Sequence, residues 1–476
     1  MNCPWLPGLL LAAGGIAAAH AAPLHKYQVD VAESLDRLRV RACFEGAAPA
    51  TLQAETSGAR AFLEQLKLKP GEQARLPEGD QISLKDIADD GCIEYHVKLE
   101  AERGGVQSGG PESRWAGRDL LTSIGDWLWR PPLEAGEIEI SFKMPPGVNV
   151  SAPWQRTGQA GNASQYRLGP TPVNWPGIVA FGHFTVRDIA VAGATLHLAI
   201  LDGPPPQQQA WIEHWIATAA RNAGTLRGRF PVESVQVIVA PTPRGRGPVP
   251  WAYVARGGGP AVHLFINPAH QPGAFERDWS ATHEMSHLFL PYAVARDSWL
   301  SEGVPTYLQN VLMARGGAID EREAWKRMIL GFQRAAKVGP GLSLGRASER
   351  VGIGGLYQRV YWGGAALMLE ADLRLREQSG GAQSLDTALD AIAQCCLGED
   401  RRWTAAELMD QLDKASGTTI FSDVMRGHLD DPEFPDFKSL LVRAGVTVSG
   451  GEVVLEPAAP WAPLRESLMR RSETAP

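Results

Sequence analysis

Cysteine is scarce in this chain, with five residues in 476. Cys3 precedes the N-terminal apolar run and is not placed for lipid attachment, and the adjacent Cys395-Cys396 lack the spacing or partners of a metal site. They read instead as core residues of an apolar helical stretch. Cys43 and Cys92 fall in strand-like segments of one region, so they form either a disulfide in an oxidising compartment or two buried thiols. Long apolar runs are also missing. Only Leu9 to Ala19 is continuous, and it is too short to favour a membrane span. No excess of basic charge exists: a formal charge of -7 and a pI near 5.9 remove the electrostatic case for a nucleic-acid partner. With 44% hydrophobic and 21% charged residues, the composition is that of a globular protein, long enough for two or three domains. There is no long internal repeat, and nothing in the pattern sets an oligomeric state.

What is present begins with a leader. The apolar run ends in Ala19-His20-Ala21, a small-x-small pattern, so residues 1–21 read as a signal peptide and the mature chain as secreted or periplasmic. The lack of Lys or Arg before the run leaves an Ala-rich leader on a cytoplasmic protein as the alternative. Residues 22–203 carry short period-two segments such as Leu38 to Phe44, Ile93 to Leu99 and Ile138 to Phe142, separated by Gly and Pro clusters, which predicts a β-rich domain. The tryptophans at 115, 127, 129, 154 and 175 fit core and loop packing there. Pro204-Pro205-Pro206 marks a boundary, and residues 204–319 read as helix, small sheet and a second helical block. Residues 320–449 read as helical, and 450–476 as a Pro-rich loose tail.

The chemistry lies in His283-Glu284-Met285-Ser286-His287 and Trp299-Leu300-Ser301-Glu302-Gly303. Histidines four apart share one helix face and can hold the same zinc ion, while Glu284 between them is positioned as a base toward water rather than as a ligand. Glu302, on a following helix, is the natural third ligand. Two histidines, a carboxylate and one open position describe a catalytic Zn2+ site for one ion rather than a structural one. Pro291 should end the first helix.

These blocks resemble the glycyl-aminopeptidase family of zinc metallopeptidases, in the gluzincin group. The resemblance rests on the His283 to His287 motif, on Trp299 to Gly303 with Tyr307 following, and on Tyr361-Trp362-Gly363-Gly364-Ala365 with Glu370-Ala371-Asp372. It implies a multidomain α+β protein with an N-terminal β-rich domain, a thermolysin-like zincin catalytic domain and a C-terminal helical region. It also implies a peptide or protein substrate, with Tyr361, or Tyr357 one turn earlier, as donor to the oxyanion. The Gly257-Gly258-Gly259 segment corresponds to the family's substrate-binding strand. Gly363 stands where the family has lysine, and the Gly257 to His263 stretch lacks the carboxylate with which the aminopeptidases hold a free amine. The chain is too short to add a PDZ module. Two other classes share the same motifs: a zinc hydrolase of a non-peptide amide or ester, and a non-catalytic zincin-fold binding protein.

Overall fold

The computed structural model describes residues 23–470 apart from 56–57, 78, 100–101, 104–111, 161–162 and 243–244, so the leader lies outside the described residues. The protein is a multidomain α+β chain whose order follows the changes in sequence periodicity. Alternating strands come first, among them Leu24–Val31, Arg37–Cys43, Cys92–Lys98 and Glu137–Lys143. They join a seven-stranded sheet that is antiparallel except where Leu24–Val31 runs parallel to Glu137–Lys143. Each of these four strands buries every second residue, as period-two patterning demands. The buried face, including Val29, Val40, Tyr95 and Phe142, closes on Leu120, Trp127, Trp154 and Phe181 of a five-stranded sheet and its loops. Trp127, Trp129, Trp154 and Trp175 are buried, so four of the five tryptophans are packing residues. Cys43 and Cys92 face each other in register across paired strands, with Cα atoms 4.0 Å apart and the sulfurs bonded.

A second five-stranded sheet follows, in the order Val186–Val191, Ala194–Ile200, Ser234–Pro241, Ala261–Ile266, Trp251–Ala255. Its three inner strands are parallel and almost wholly apolar because both faces are covered. Val237, Val239, Val262 and Leu264 pack on the helices, whereas Ala199, Ile238 and Phe265 pack on Leu121, Ile178 and Phe184 from the N-terminal half. Trp251–Ala255 is an edge strand, antiparallel to its only neighbour among the described residues.

The helices close the other side. Ser280–Ser286 carries the histidine motif, and Gly303–Arg315 follows Glu302. Tyr357–Gln378 crosses the latter at Gly303 and Gly364. A Cβ added to Gly364 would stand 1.8 Å from the Trp299 carbonyl oxygen, so only glycine permits this crossing. Asp372, fully buried, ties the same helices together. It accepts from Tyr307 Oη at 2.7 Å, from Arg376 Nε at 2.9 Å and from the Leu385 backbone N–H at 2.9 Å.

Two expectations change. Residues 450–470 are not a loose tail: Glu452–Leu455 pairs with Val446–Ser449, and helix Ala462–Met469 buries Leu468 and Met469 with Trp461 just before it. Aromatic and aliphatic side chains there outweigh the prolines that suggested a loop. Cys396 is in the core as expected, but Cys395, one residue earlier on the helix, faces solvent.

Candidate metal centre and cleft

The helix Ser280–Ser286 is buried on all sides and passes into a 3-10 turn at His287–Phe289, after which Pro291 prevents continuation. That turn keeps His287 on the face of His283, with ring centroids 5.0 Å apart. Glu302 immediately precedes the next helix and brings its Oε2 to 3.3 Å from His283 Nε2 and 3.5 Å from His287 Nε2. The three ligand atoms lie within 4.8 Å of one another, as a single shared cation requires. His283 Nδ1 donates to Gln309 Oε1 at 2.7 Å, which fixes the ring and leaves Nε2 free for a metal. Two imidazoles and a carboxylate, one of them oriented by a buried amide, fit zinc.

Glu284 is buried, its Oε2 4.0 Å from His287 Nε2. Burial raises its carboxyl above the ordinary value against the opposing charges of His287 and His283. Burial pushes Glu302 the same way, but His287 and His283 outweigh it and hold Glu302 well below the carboxylate range. Of the two tyrosines, Tyr361 stacks parallel to His283 with centroids 6.2 Å apart, whereas Tyr357 lies outside it and is 48% exposed. Burial, then the charges of Glu302 and Glu284, raise the Tyr361 hydroxyl well above its usual value, so it stays a proton donor.

The centre opens into a cavity of about 980 Å³ whose wall includes the edge strand from Trp251 to Val254. Gly257, Gly258 and Gly259 do not line it, contrary to the expectation of a substrate-binding segment. They pack against the N-terminal half instead. Gly257 N–H donates to Pro176 O at 2.7 Å, Trp154 Nε1 donates to Gly257 O at 2.9 Å, and a Cβ on Gly259 would lie 1.9 Å from Pro153 O. Glycine is used here because two backbones meet. Arg256, next to them, does reach the cavity and donates from Nη2 to His287 O and Leu290 O, each at 2.8 Å. It thereby satisfies carbonyls left open where the motif helix ends. Neither Arg256 nor Gln309 was singled out from the sequence. Gln309 carried a usable signal, since it stands two helical turns after Glu302 on the same face.

No family model matches the chain, and neither does any curated protein. Solved structures do. An aminopeptidase N family protein from Idiomarina loihiensis aligns with a TM-score of 0.68 at 16% identity, over 89% of this chain and 79% of that one. An M1 zinc metallopeptidase from Deinococcus radiodurans aligns with a TM-score of 0.55 at 13% identity, over 87% and 94%. A mutant of the latter, solved with a Tyr-Ser-Ala substrate, aligns with a TM-score of 0.54 at 14% identity, over 87% and 96%. The chain therefore has the fold of M1 zinc metallopeptidases and carries a candidate His-His-Glu zinc site. This is a coarser relationship than the glycyl-aminopeptidase likeness of its motifs.

Proposed function

We propose that this protein is a zinc-dependent metallopeptidase that hydrolyses peptide bonds. The observation that carries the reading is the convergence of His283, His287 and Glu302 beside a buried Glu284 that is not needed as a ligand. A zinc ion held by those three residues supplies Lewis-acid polarisation of the scissile carbonyl and of water. Glu284 takes the proton of the attacking water as the new C–O bond forms, then delivers it to the leaving amine as the C–N bond breaks. Its buried carboxyl is suited to carry that proton between the two events. Tyr361 donates a hydrogen bond to the carbonyl oxygen as negative charge grows there. The free edge of Trp251–Ala255 supports an extended peptide by backbone pairing.

A secreted or periplasmic location is part of the proposal, supported by the leader pattern and the cross-strand pairing of Cys43 with Cys92. N-terminal sequencing of the exported chain should then begin near Ala22.

The activity is tested with paired peptides that differ only in a free or acetylated amino terminus, beside Glu284→Gln. Zinc-dependent cleavage lost in the variant supports the reading. If no peptide is cut while zinc is bound, peptide hydrolysis is wrong and esters or non-peptide amides take its place.

A further inference from the structure

Among the described residues lining the cavity, the only carboxylates are Glu284 and Glu302, both at the metal centre. A protonated substrate amine entering it would find no counter-charge of its own, a costly arrangement away from water. The cavity holds two arginines instead. Arg256 reaches from the His287 carbonyl to the ring of Tyr292, with its guanidinium carbon 5.4 Å from the ring centroid. Arg402 meets the same ring at 4.9 Å. His287, Arg256, Tyr292 and Arg402 are thus linked by successive contacts that begin at a candidate metal ligand.

The two guanidiniums are not equally occupied. Arg256 is committed through Nη2 to two backbone carbonyls. Arg402 has a long contact from Nη2 to Asn174 O at 3.5 Å, and its Nε is buried without a partner. Its neighbour Arg401 is in contrast paired with both Glu399 and Glu407, at 2.8 and 2.9 Å. Glu55 is within electrostatic reach of Arg402, but no ion pair joins them, and burial holds the Glu55 carboxyl at about 7. Arg402 is held in place by backbone pairing of its own segment: Trp403 N–H donates to Tyr292 O at 2.8 Å, and Val294 N–H to Trp403 O at 2.9 Å. A guanidinium fixed in a cavity wall with donors unspent is a carboxylate receptor.

We propose that Arg402, with Arg256 at the same Tyr292 ring, makes this end of the cleft an anion subsite that selects peptides carrying a carboxylate there, with no requirement for a free amino terminus. The carboxylate comes either from an acidic side chain or from the peptide's own C-terminus. This inference rests on the peptidase reading and specifies its substrate class.

The test uses the full zinc-loaded protein and pentapeptides matched in pairs: Asp against Asn at each position, and a free against an amidated C-terminus, all with acetylated amino termini. Wild type should prefer one carboxylate-bearing member on the order of ten- to a hundredfold, mainly through KM. Arg402→Gln should level the pair, Arg402→Lys should keep part of the preference, and thermal melts should verify that both variants fold. Preference tracking the Asp peptides or the free C-terminus identifies the source, and either supports the subsite. Binding of the same pairs to Glu284→Gln, followed by calorimetry, decides the matter even if nothing is cleaved. A loss of the peptidase reading is thereby separated from a loss of the subsite. Equal binding of charged and neutral peptides by wild type, or a preference that survives Arg402→Gln, overturns it.

Discussion

On the metal side of the cleft, His283, Glu284, His287 and Glu302 all come from one short stretch of chain, and their geometry follows from helix periodicity and one turn. On the arginine side, Arg256 and Arg402 are far apart in sequence and meet only across Tyr292. The first arrangement is rigid, braced by Gln309, by Asp372 and by the contact of Gly303 with Gly364. The second hangs on loop segments pinned by backbone hydrogen bonds and by Arg256 capping the His287 and Leu290 carbonyls. The proposed chemistry common to all substrates would thus sit on braced helices, and the proposed selection between substrates on loops, where change perturbs the core least.

Substitutions on the two sides should therefore differ in kind. The largest effect is expected from Glu284→Gln, which should lower kcat for every cleaved peptide on the order of a hundred- to ten-thousandfold while leaving one zinc per chain by metal analysis. A substrate-dependent loss would contradict a base common to all substrates. Gly364→Ala forces a Cβ onto the Trp299 carbonyl, and should cost about 1–3 kcal/mol or more in urea unfolding and displace Glu302. An unchanged midpoint would mean that the helix crossing is slack and the metal side less braced than described. Gln309→Ala should weaken zinc affinity about 10–100-fold in competition with a chelator, with kcat of the zinc-saturated protein much less affected.

The last effect, on stability against pH rather than on the site, concerns the strand behind the edge strand. His263, buried against Tyr253, is held neutral down to about 3 by burial and by the charge of Arg114. The unfolded chain takes up this proton below about 6.5, so the folded state loses stability as pH falls from about 6.5 toward 3, by on the order of a few kcal/mol. His263→Gln should shrink the difference between unfolding midpoints measured at pH 7 and pH 4.5. An unchanged difference would assign the acid sensitivity to other groups.

The helix and strand patterns in the sequence placed most elements near where they fold. The small sheet expected within residues 204–319 is there and includes Trp251–Ala255 and Ala261–Ile266. Side-chain period does not reveal what a glycine is for. Gly257-Gly258-Gly259 has the composition of a ligand-binding loop, yet Gly257 and Gly259 exist because the backbones at Pro176 and Pro153 come too close for a Cβ, and Gly258 because its φ is positive against the Leu168 and Trp154 side chains. Composition likewise misled at the C-terminus, where Trp461, Leu468 and Met469 anchor a helix among prolines. Between Tyr357 and Tyr361, one turn apart, only the direction each faces separates them, and that is set by how their helix packs on Gly303.

The sequence alone determined that His283, Glu284, His287 and Glu302 converge, because about 3.6 residues per helical turn and a short connection leave few places for them to go. It also determined the order of a β-rich part, a mixed sheet and helices, because burial imposes its period on each. Tertiary structure alone decided the charge of the cleft. Arg256 and Arg402 read as ordinary surface cations until the folded chain brings both to one tyrosine and leaves no free carboxylate among the described residues of the wall. Periodicity is local and survives in a string of letters, whereas the field inside a cavity is a sum over residues that only folding brings together.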